Sequence, residues 1–334
     1  MKTTTYGRSL LVAGAVALGA AGVTNDASAQ RMIFATQQAG TIYYLLGSGF
    51  SKMLTEQLKR RVTVQPYSGS SVYLPLLNNG EATLGFSSSL DAGTSYSGDG
   101  RTPLKNLRLI ARIWGLKTAF MVRADAGIKT VMDLKGKRVT TDMKGQRAMG
   151  SVMQLIIKAG GLSLSDVKRV TVANVGAGTK ALIEGNVDAT FIAVGIPLVK
   201  RANSAIPGGV SYVDMSGGNT ADSYLGSQVP GVYATTVAPS KRMPEVKSKI
   251  TTVAFDIYLV TGAETSDKDV QAVLGAVSDQ FEALQKAYPP LRRGRVSGFA
   301  VINNTVPYHK GAIAYYKSKG MWKEANDKHE ASFK

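Results

Sequence analysis

The pattern of apolar and polar positions predicts that strands alternate with helices along most of this chain. The first unit begins with the apolar run 32–35 and continues through a polar loop at 36–41. Apolar residues then recur about every 3.6 positions, at Tyr43, Leu46 and Phe50. This order is typical of a strand, a tight loop and an amphipathic helix.

Two further units of the same kind follow directly. Residues 62–67 and 83–86 alternate or are apolar as strands are, and serine-rich loops come after both. Strands that alternate with helices favour a parallel sheet, whose ligands lie beyond the carboxyl ends of the strands. We therefore expect the three polar loops to lie on one side of the sheet.

A second series begins near residue 125, and the chain returns to the first near residue 233. Further strands are predicted at 107–114, 118–122, 138–141, 168–173, 188–193 and 251–260, helices at 147–159, 267–288 and 307–328, and an exposed loop at 93–105. The prediction is an α/β fold of two lobes with parallel-rich mixed sheets. Lobe two (117–224) is inserted into lobe one (30–116 and 225–334), and the two chain crossings make a hinge between the lobes plausible.

The N-terminal residues and the cysteine content predict where the protein is located. The first 29 residues have a basic start, an apolar stretch at 9–23 and an Ala27-Ser28-Ala29 cleavage site, which is typical of a cleaved signal peptide. The chain contains no cysteine, so a lipoprotein anchor and disulfides are excluded. We expect an exported, periplasmic protein that is not lipid-anchored.

Charge and motifs exclude several functions. The formal net charge is +17, but the basic residues are not interleaved with aromatic residues as in a nucleic-acid platform. That excess favours an acidic solute instead. Two histidines without cysteine make no metal cluster, and no nucleophile or nucleotide motif stands out. We therefore expect neither a metal, a cofactor nor an enzyme.

The polar loops supply candidate ligand-binding residues. A helix start carries unpaired N–H groups and a partial positive charge, which suits a carboxylate. The candidates are Gln37, Gln38, Thr41, Tyr44, Ser70, Ser71, Ser87, Ser88, Gln146, Arg147 and Gly195. Arg147 could clamp a carboxylate with two hydrogen bonds or could be a solvated surface residue, and Tyr44 could equally pack in the core.

Three stretches in this order resemble one protein family. They are the strand, loop and Tyr-Tyr helix of 34–47, the D-L-K-G-K segment within 132–139, and the box at 306–316, which follows the pattern P-x-H-x-G-A-x-x-Y-Y. Together they resemble the TAXI family, the receptor subunits of TRAP-type secondary transporters. The resemblance implies a type II periplasmic-binding-protein fold and capture of a small organic anion between the lobes. A dicarboxylate, a 2-oxo acid and an acidic amino acid are the candidate anions, and the membrane partner would be an ion-driven permease.

The sequence departs from the family pattern at two loops. Residues 36–41 lack the usual run of glycines, and Gly145-Gln146-Arg147-Ala148 stands where a G-S-G-T loop is common. These changes add two glutamines and an arginine, which favours a larger or more anionic acid than glutamate. A monomer is expected. A sensor domain for a membrane signalling protein and a periplasmic enzyme remain the alternative functions.

Overall fold

The computed structural model describes residues 31–98 and 100–333. The predicted signal peptide, 1–29, lies outside these residues. The strands are β1 (Met32–Gln37), β2 (Val62–Tyr67), β3 (Leu84–Ser88), β4 (Leu107–Arg123), β5 (Arg138–Met143), β6 (Lys168–Val172), β7 (Ala189–Ala193), β8 (Val210–Tyr212), β9 (Tyr233–Val237) and β10 (Ile250–Gly262).

The helices mostly follow strands, as the alternating pattern predicts. They are α1 (Ile42–Leu58), α2 (Ser70–Asn78), α3 (Ser89–Ser97), α4 (Ala148–Ala159), α5 (Val175–Ile183), α6 (Pro197–Ala205), α7 (Asp222–Gln228), α8 (Asp267–Asp279), α9 (Phe281–Ala287), α10 (Lys310–Ser318) and α11 (Glu324–Glu330). No helix in the described part of the chain is long and apolar enough to cross a membrane.

The strands form one mixed sheet in the order β2-β1-β3-β10-β4-β7-β5-β6, with β8 added beside β4 and β9 beside β10. The pairs β1–β2, β1–β3, β5–β6 and β5–β7 are parallel, and the pairs that involve β4 or β10 are antiparallel. Two parallel groups therefore flank a central antiparallel pair. This parallel-rich α/β sheet confirms the predicted fold class.

The two central strands are long because each serves both groups. β10 pairs with β4 along one edge, while β9 and then β3 occupy its other edge. β4 continues past β10 to pair with β7 and β8. Such a strand is buried on both faces, which is why residues 251–260 are almost continuously apolar.

Four predicted boundaries were wrong. Residues 107–114 and 118–122 form one strand, because pairing with β10 continues through 115–117. Residues 93–97 belong to α3 rather than to an exposed loop. The helix predicted at 267–288 is two helices that meet at Gln280. The helix predicted at 307–328 is also two helices, α10 and α11, with Gly320 at φ 65° between them.

The C-terminal box that carries the family resemblance is part of the core. Tyr308 and Tyr316 are buried, and their hydroxyls donate to main-chain carbonyls, including that of Ile110 for Tyr316. Both rings contact Trp322. His309 caps α10 by accepting a hydrogen bond from the N–H of Gly311. The box therefore anchors the C-terminal helices to β4.

Candidate functional site: a cavity among helix starts

The loop that follows β1 contacts the N-termini of α5 and α6, two helices of the second series. The amide of Gln38 donates to Asn174 Oδ1 at 2.9 Å, and Asn174 is the N-cap of α5. The N–H of Leu198, in the first turn of α6, donates to the carbonyl of Gly40 at 3.2 Å. The first polar loop therefore contacts the starts of two helices in the second series.

The loop after β2 makes a closer contact with the loop before α4. The N–H of Ser71 donates to the carbonyl of Gly145 at 3.1 Å, and Ser71 Oγ accepts from the N–H of Arg147 at 3.1 Å. Gly69 lies so near Gly145 that an added Cβ would overlap its carbonyl oxygen. The two loops are therefore in direct backbone contact.

Asp91, in the first turn of α3, is a buried carboxylate that reaches α4. Its Oδ1 accepts from the N–H of Ala148 at 3.1 Å, and its Oδ2 accepts from Ser70 Oγ at 2.6 Å. Ser88 Oγ, the N-cap of α3, accepts from the N–H of Asp91. Burial raises the pKa of Asp91, and the hydrogen bonds from Ser70, Ala148 and Ser88 oppose that rise. The start of α4 is thus already occupied by a carboxylate of the protein itself.

A small cavity lies among these loops, with about 30 Å³ open to the centre of a water molecule. A single water needs roughly 10–15 Å³ by this measure, so the cavity has room for about two or three water-sized groups. The starts of four helices contribute to its wall, through Ile42 of α1, Met149 of α4, Val175 of α5 and Ile196 before α6. Of the helix starts predicted to converge, those of α1 and α4 line the cavity, whereas those of α2 and α3 do not; the start of α5 was not predicted to contribute.

Two of these helix starts keep main-chain donors beside the cavity. Thr41 caps α1 by accepting from the N–H of Tyr44, whereas Ile42 and Tyr43 have no acceptor one turn earlier within the helix. Val175, the first residue of α5, likewise has a main-chain N–H without an acceptor inside its helix. An anion near such an end gains about 0.3–1 kcal/mol, and up to about 2 kcal/mol where burial is partial.

Two glutamine side chains on the cavity wall are buried and unpaired. Gln37 is 3% exposed and Gln146 is 8% exposed, and both line the cavity. Gln37 Nε2 and Gln146 Oε1 have no hydrogen-bond partner among the residues that the structure describes. A buried polar atom left unpaired costs about 1–3 kcal/mol.

The rest of the wall is apolar. Its members without a polar side-chain atom are Ile42, Leu116, Met149, Val175, Phe191, Ile192, Ala193, Ile196 and Phe255. Thr118 also lines the cavity, and its hydroxyl already donates to the carbonyl of Val253. None of the described lining residues carries a charge.

Of the predicted site residues, the structure brings Gln37, Thr41 and Gln146 to the cavity. Arg147 is exposed and lines a separate open groove of about 600 Å³, which also contains Ser71, Arg101 and Lys144. The backbone contact between residues 69–71 and 145–147 stands next to both spaces. The arginine predicted to clamp the ligand therefore does not line the small cavity.

The remaining predicted residues support the loops. Gln38, Ser70, Ser71 and Ser88 make the hydrogen bonds described above. Ser87 is buried and donates to the carbonyl of Ser88, and Tyr44 is half-buried away from the cavity wall. The N–H of Gly195 donates to the hydroxyl of Tyr212. None of these residues lines the small cavity.

Sequence reasoning missed the apolar wall. Phe191, Ile192 and Ala193 belong to β7, Phe255 to β10, and Leu116 and Thr118 to β4. Their residue types are those of any buried strand, so no local signal separates a cavity wall from a core. The described residues also contain no group of three potential metal ligands.

Comparison with known proteins agrees with this architecture. The model of the NMT1-like family matches residues 34–320. Among solved structures, the alkanesulfonate-binding protein SsuA from Xanthomonas axonopodis pv. citri, bound to MOPS, is 14% identical with a TM-score of 0.50, covering 90% of this chain and 83% of that one. The aliphatic sulphonate binding protein SsuA from Escherichia coli is 16% identical with a TM-score of 0.46, covering 91% and 82%.

A third neighbour is the amino acid ABC transporter substrate-binding protein AbpA from Streptococcus pneumoniae, bound to L-arginine. It is 14% identical with a TM-score of 0.47, covering 78% of this chain and 94% of that one. At such identities the first SsuA structure supports the fold and no ligand. The chain belongs to the NMT1-like family and has the two-lobed α/β fold of type II periplasmic binding proteins.

Proposed function

We propose that the protein is a periplasmic solute-binding receptor that captures a small organic anion and delivers it to a membrane transporter. The observation that carries this proposal is the small cavity among four helix starts, with Gln37 and Gln146 on its wall. Main-chain donors at Ile42, Tyr43 and Val175 suit a carboxylate.

The ligand lies, in this proposal, between two lobes that close around it. Lobe one comprises 30–116 and 225–334, and lobe two comprises 117–224. The hydrogen bonds Gln38–Asn174, Leu198–Gly40, Ser71–Gly145 and Ala148–Asp91 all join one lobe to the other. In this proposal these contacts break, and the lobes separate, when a solute enters or leaves.

The site residues take two roles. Gln37, Thr41 and Gln146 are placed to bind the ligand directly. Gln38, Ser70, Ser71 and Ser88 hold the closed arrangement through their own bonds or through Asp91. Arg147 belongs to the outer groove, where Arg101 and Lys144 also place positive charge. This groove would attract an anion toward the cleft before the lobes close.

The membrane partner proposed here is a TRAP-type permease, for which the TAXI resemblance of 34–47 and 306–316 is the support. Both stretches are largely structural, since the first builds β1 and α1 and the second caps and anchors α10. They therefore relate the chain to a kind of receptor and identify no docking surface.

A thermal-shift screen tests the proposal. A panel of mono- and dicarboxylates, 2-oxo acids, sulfonates and acidic amino acids is added to the mature protein, with sugars and organic cations as matched controls. A ligand present at 100 times its Kd stabilises the folded state by about 2.7 kcal/mol, so at least one organic anion should raise the Tm by several degrees. Stabilisation by a sugar or a cation alone would contradict an anion receptor.

A further inference from the structure

The outer groove that Arg147 lines is large enough for a metabolite and touches both proposed lobes. Its volume is about 600 Å³, whereas the small cavity has about 30 Å³. Ligand pockets commonly measure roughly 300–1,000 Å³. The described lining comes from residues between 71 and 104 in lobe one and between 142 and 171 in lobe two. A solute in this groove would therefore contact both lobes at once.

Positive charge is in excess along the groove. Arg101, Lys144 and Arg147 line it and are exposed, and none of the three forms an ion pair within the described ranges. Asp142 is the acidic member of the described lining, and its Oδ2 is already paired with Arg169 at 3.3 Å. Like charges along one groove repel each other, and an anion among them relieves that repulsion. Three unpaired cations therefore suit a solute with more than one negative charge.

Hydroxyl groups of the same groove add hydrogen-bond donors. Thr94 Oγ1 donates to the carbonyl of Leu90, and Ser71 Oγ accepts from the N–H of Arg147. The lining hydroxyls without a partner in the described part of the chain are those of Ser95, Thr102, Ser151 and Thr171. A hydroxyl donates to a carboxylate without adding charge. The groove therefore supplies both charged and neutral donors for carboxylates.

The cations come from both sides of the contact between the lobes. Arg101 follows α3 in lobe one, whereas Lys144 and Arg147 precede α4 in lobe two. Ser71 is bonded to the carbonyl of Gly145 and to the N–H of Arg147, so the main chain before α4 is fixed against lobe one. An anion held by arginines of both lobes would stabilise this contact, because each guanidinium can bind one carboxylate with two hydrogen bonds.

We infer that the outer groove binds a di- or tricarboxylate, with separate carboxylates paired to Arg101 of lobe one and to Lys144 and Arg147 of lobe two. The site rests on the two lobes of the proposed function but lies outside the small cavity, which has no room for such an acid. Arg147 then has the clamping role, one of the two that the sequence allows.

Three acids built on one propane skeleton test the dependence on charge. Butyrate carries one carboxylate, glutarate two and tricarballylate three. Isothermal titration of the mature protein at neutral pH and constant ionic strength should give a tricarballylate affinity at least about tenfold above that of butyrate, with glutarate between them, because each added carboxylate gains a partly exposed ion pair. Added salt should weaken tricarballylate most, since screening acts on every pair. Glycerol 3-phosphate should bind less tightly than tricarballylate, because its charges lie on one group.

Single neutralising substitutions locate the site. Arg147→Gln, Lys144→Gln and Arg101→Gln should each weaken tricarballylate by about threefold or more and reduce its advantage over butyrate. Arg147→Gln keeps the main-chain N–H that donates to Ser71, so the contact between the loops remains. Arg201→Gln, at an exposed position of α6 outside the groove, removes the same charge and should change neither affinity. Circular dichroism melting of the four variants establishes that they fold.

The outcomes separate this site from the proposed function. If organic anions bind but tricarballylate has no advantage over butyrate, or if its advantage is the same in all four variants as in the wild type, the groove site is wrong and the receptor proposal stands. Tighter binding of glycerol 3-phosphate than of tricarballylate would overturn the assignment to carboxylates. If no organic anion binds, both the groove site and the receptor proposal fail.

Discussion

At the scale of single residues, Asp91 links the two series of elements by hydrogen bonds. It is 2% exposed, and its carboxylate accepts hydrogen bonds from α2 through Ser70 and from α4 through Ala148. Among the described residues, its hydrogen-bond partners are hydroxyl and main-chain groups without a positive charge. Desolvation raises its pKa, and these hydrogen bonds oppose that rise.

The pH dependence of the free energy of unfolding, compared between the wild type and Asp91 variants, tests this arrangement. A carboxyl whose pKa is raised by folding binds its proton more tightly in the native state, so its contribution to stability is present below the unfolded pKa of about 3.9 and is lost as pH rises through the folded pKa. Asp91→Asn keeps an acceptor for Ala148 and removes this titration. The variant should therefore gain stability relative to the wild type between pH 4 and pH 7 in urea unfolding.

Asp91→Ala is the companion variant. It leaves the buried N–H of Ala148 without an acceptor, which should cost about 1–3 kcal/mol at either pH. A wild type that gains stability relative to Asp91→Asn as pH rises would show that the helix start of α4, rather than burial, controls this carboxylate.

At the scale of elements, the loops 68–71 and 144–147 are in direct backbone contact across the two proposed lobes. Gly69 has φ 174°, an extended conformation that any residue adopts, so its lack of a side chain matters for space and not for backbone strain. The space is taken by the carbonyl of Gly145. A methyl group at this position would therefore separate the loops without disturbing the fold of either.

Gly69→Ala should hold the cleft partly open. We expect a weakening of ligand binding by about tenfold or more, a larger radius of gyration by small-angle X-ray scattering with ligand present, and little change in Tm. Gly298→Ala is the control, because nothing lies within 4 Å of an added Cβ there. Unchanged affinity in Gly69→Ala would show that this contact plays no part in closure.

At the scale of the whole molecule, β4 and β10 connect the two groups of parallel strands. Their pairing runs from Leu107–Gly262 to Thr118–Val253, with register shifts between Ile257 and Tyr258 and between Leu259 and Val260. The ion pair of Arg112 with Asp256 spans the same two strands at 2.8 Å. Movement of the proposed lobes would therefore require bending of these two strands, beside the cavity wall that they supply through Leu116, Thr118 and Phe255.

A transport assay distinguishes the possible membrane partners of the proposed receptor. Proteoliposomes that contain a TRAP-type permease should take up the ligand when this protein and an ion gradient are both supplied. ATP without a gradient should not support uptake, and Gly69→Ala should reduce it. Uptake that depends on ATP hydrolysis would contradict the TRAP-type partner and favour an ABC-type permease.

Much of the fold follows from local pattern. The alternation of apolar runs with polar loops located β1, β2, β5, β6 and β7 to within two residues, because each strand is buried in its own hydrophobic segment. The exceptions were α3, the break at Gln280, the break between α10 and α11, and β4, whose length was decided by pairing with the distant strand β10. A short window of sequence around β4 does not contain its partner strand β10.

The sequence alone determined that polar residues lie at helix starts, since capping and loop residues such as Thr41 and Asn174 act on their own backbone neighbours. Only the tertiary structure decided which of these starts share a cavity, placed Gln37 and Gln146 on its wall and Arg147 outside, and built the apolar remainder from β4, β7 and β10. The physical reason is the separation in sequence between the residues that contact one another. Capping is a contact over three or four residues, whereas the cavity joins residues 37, 146, 191 and 255, whose proximity depends on the order of strands in the sheet.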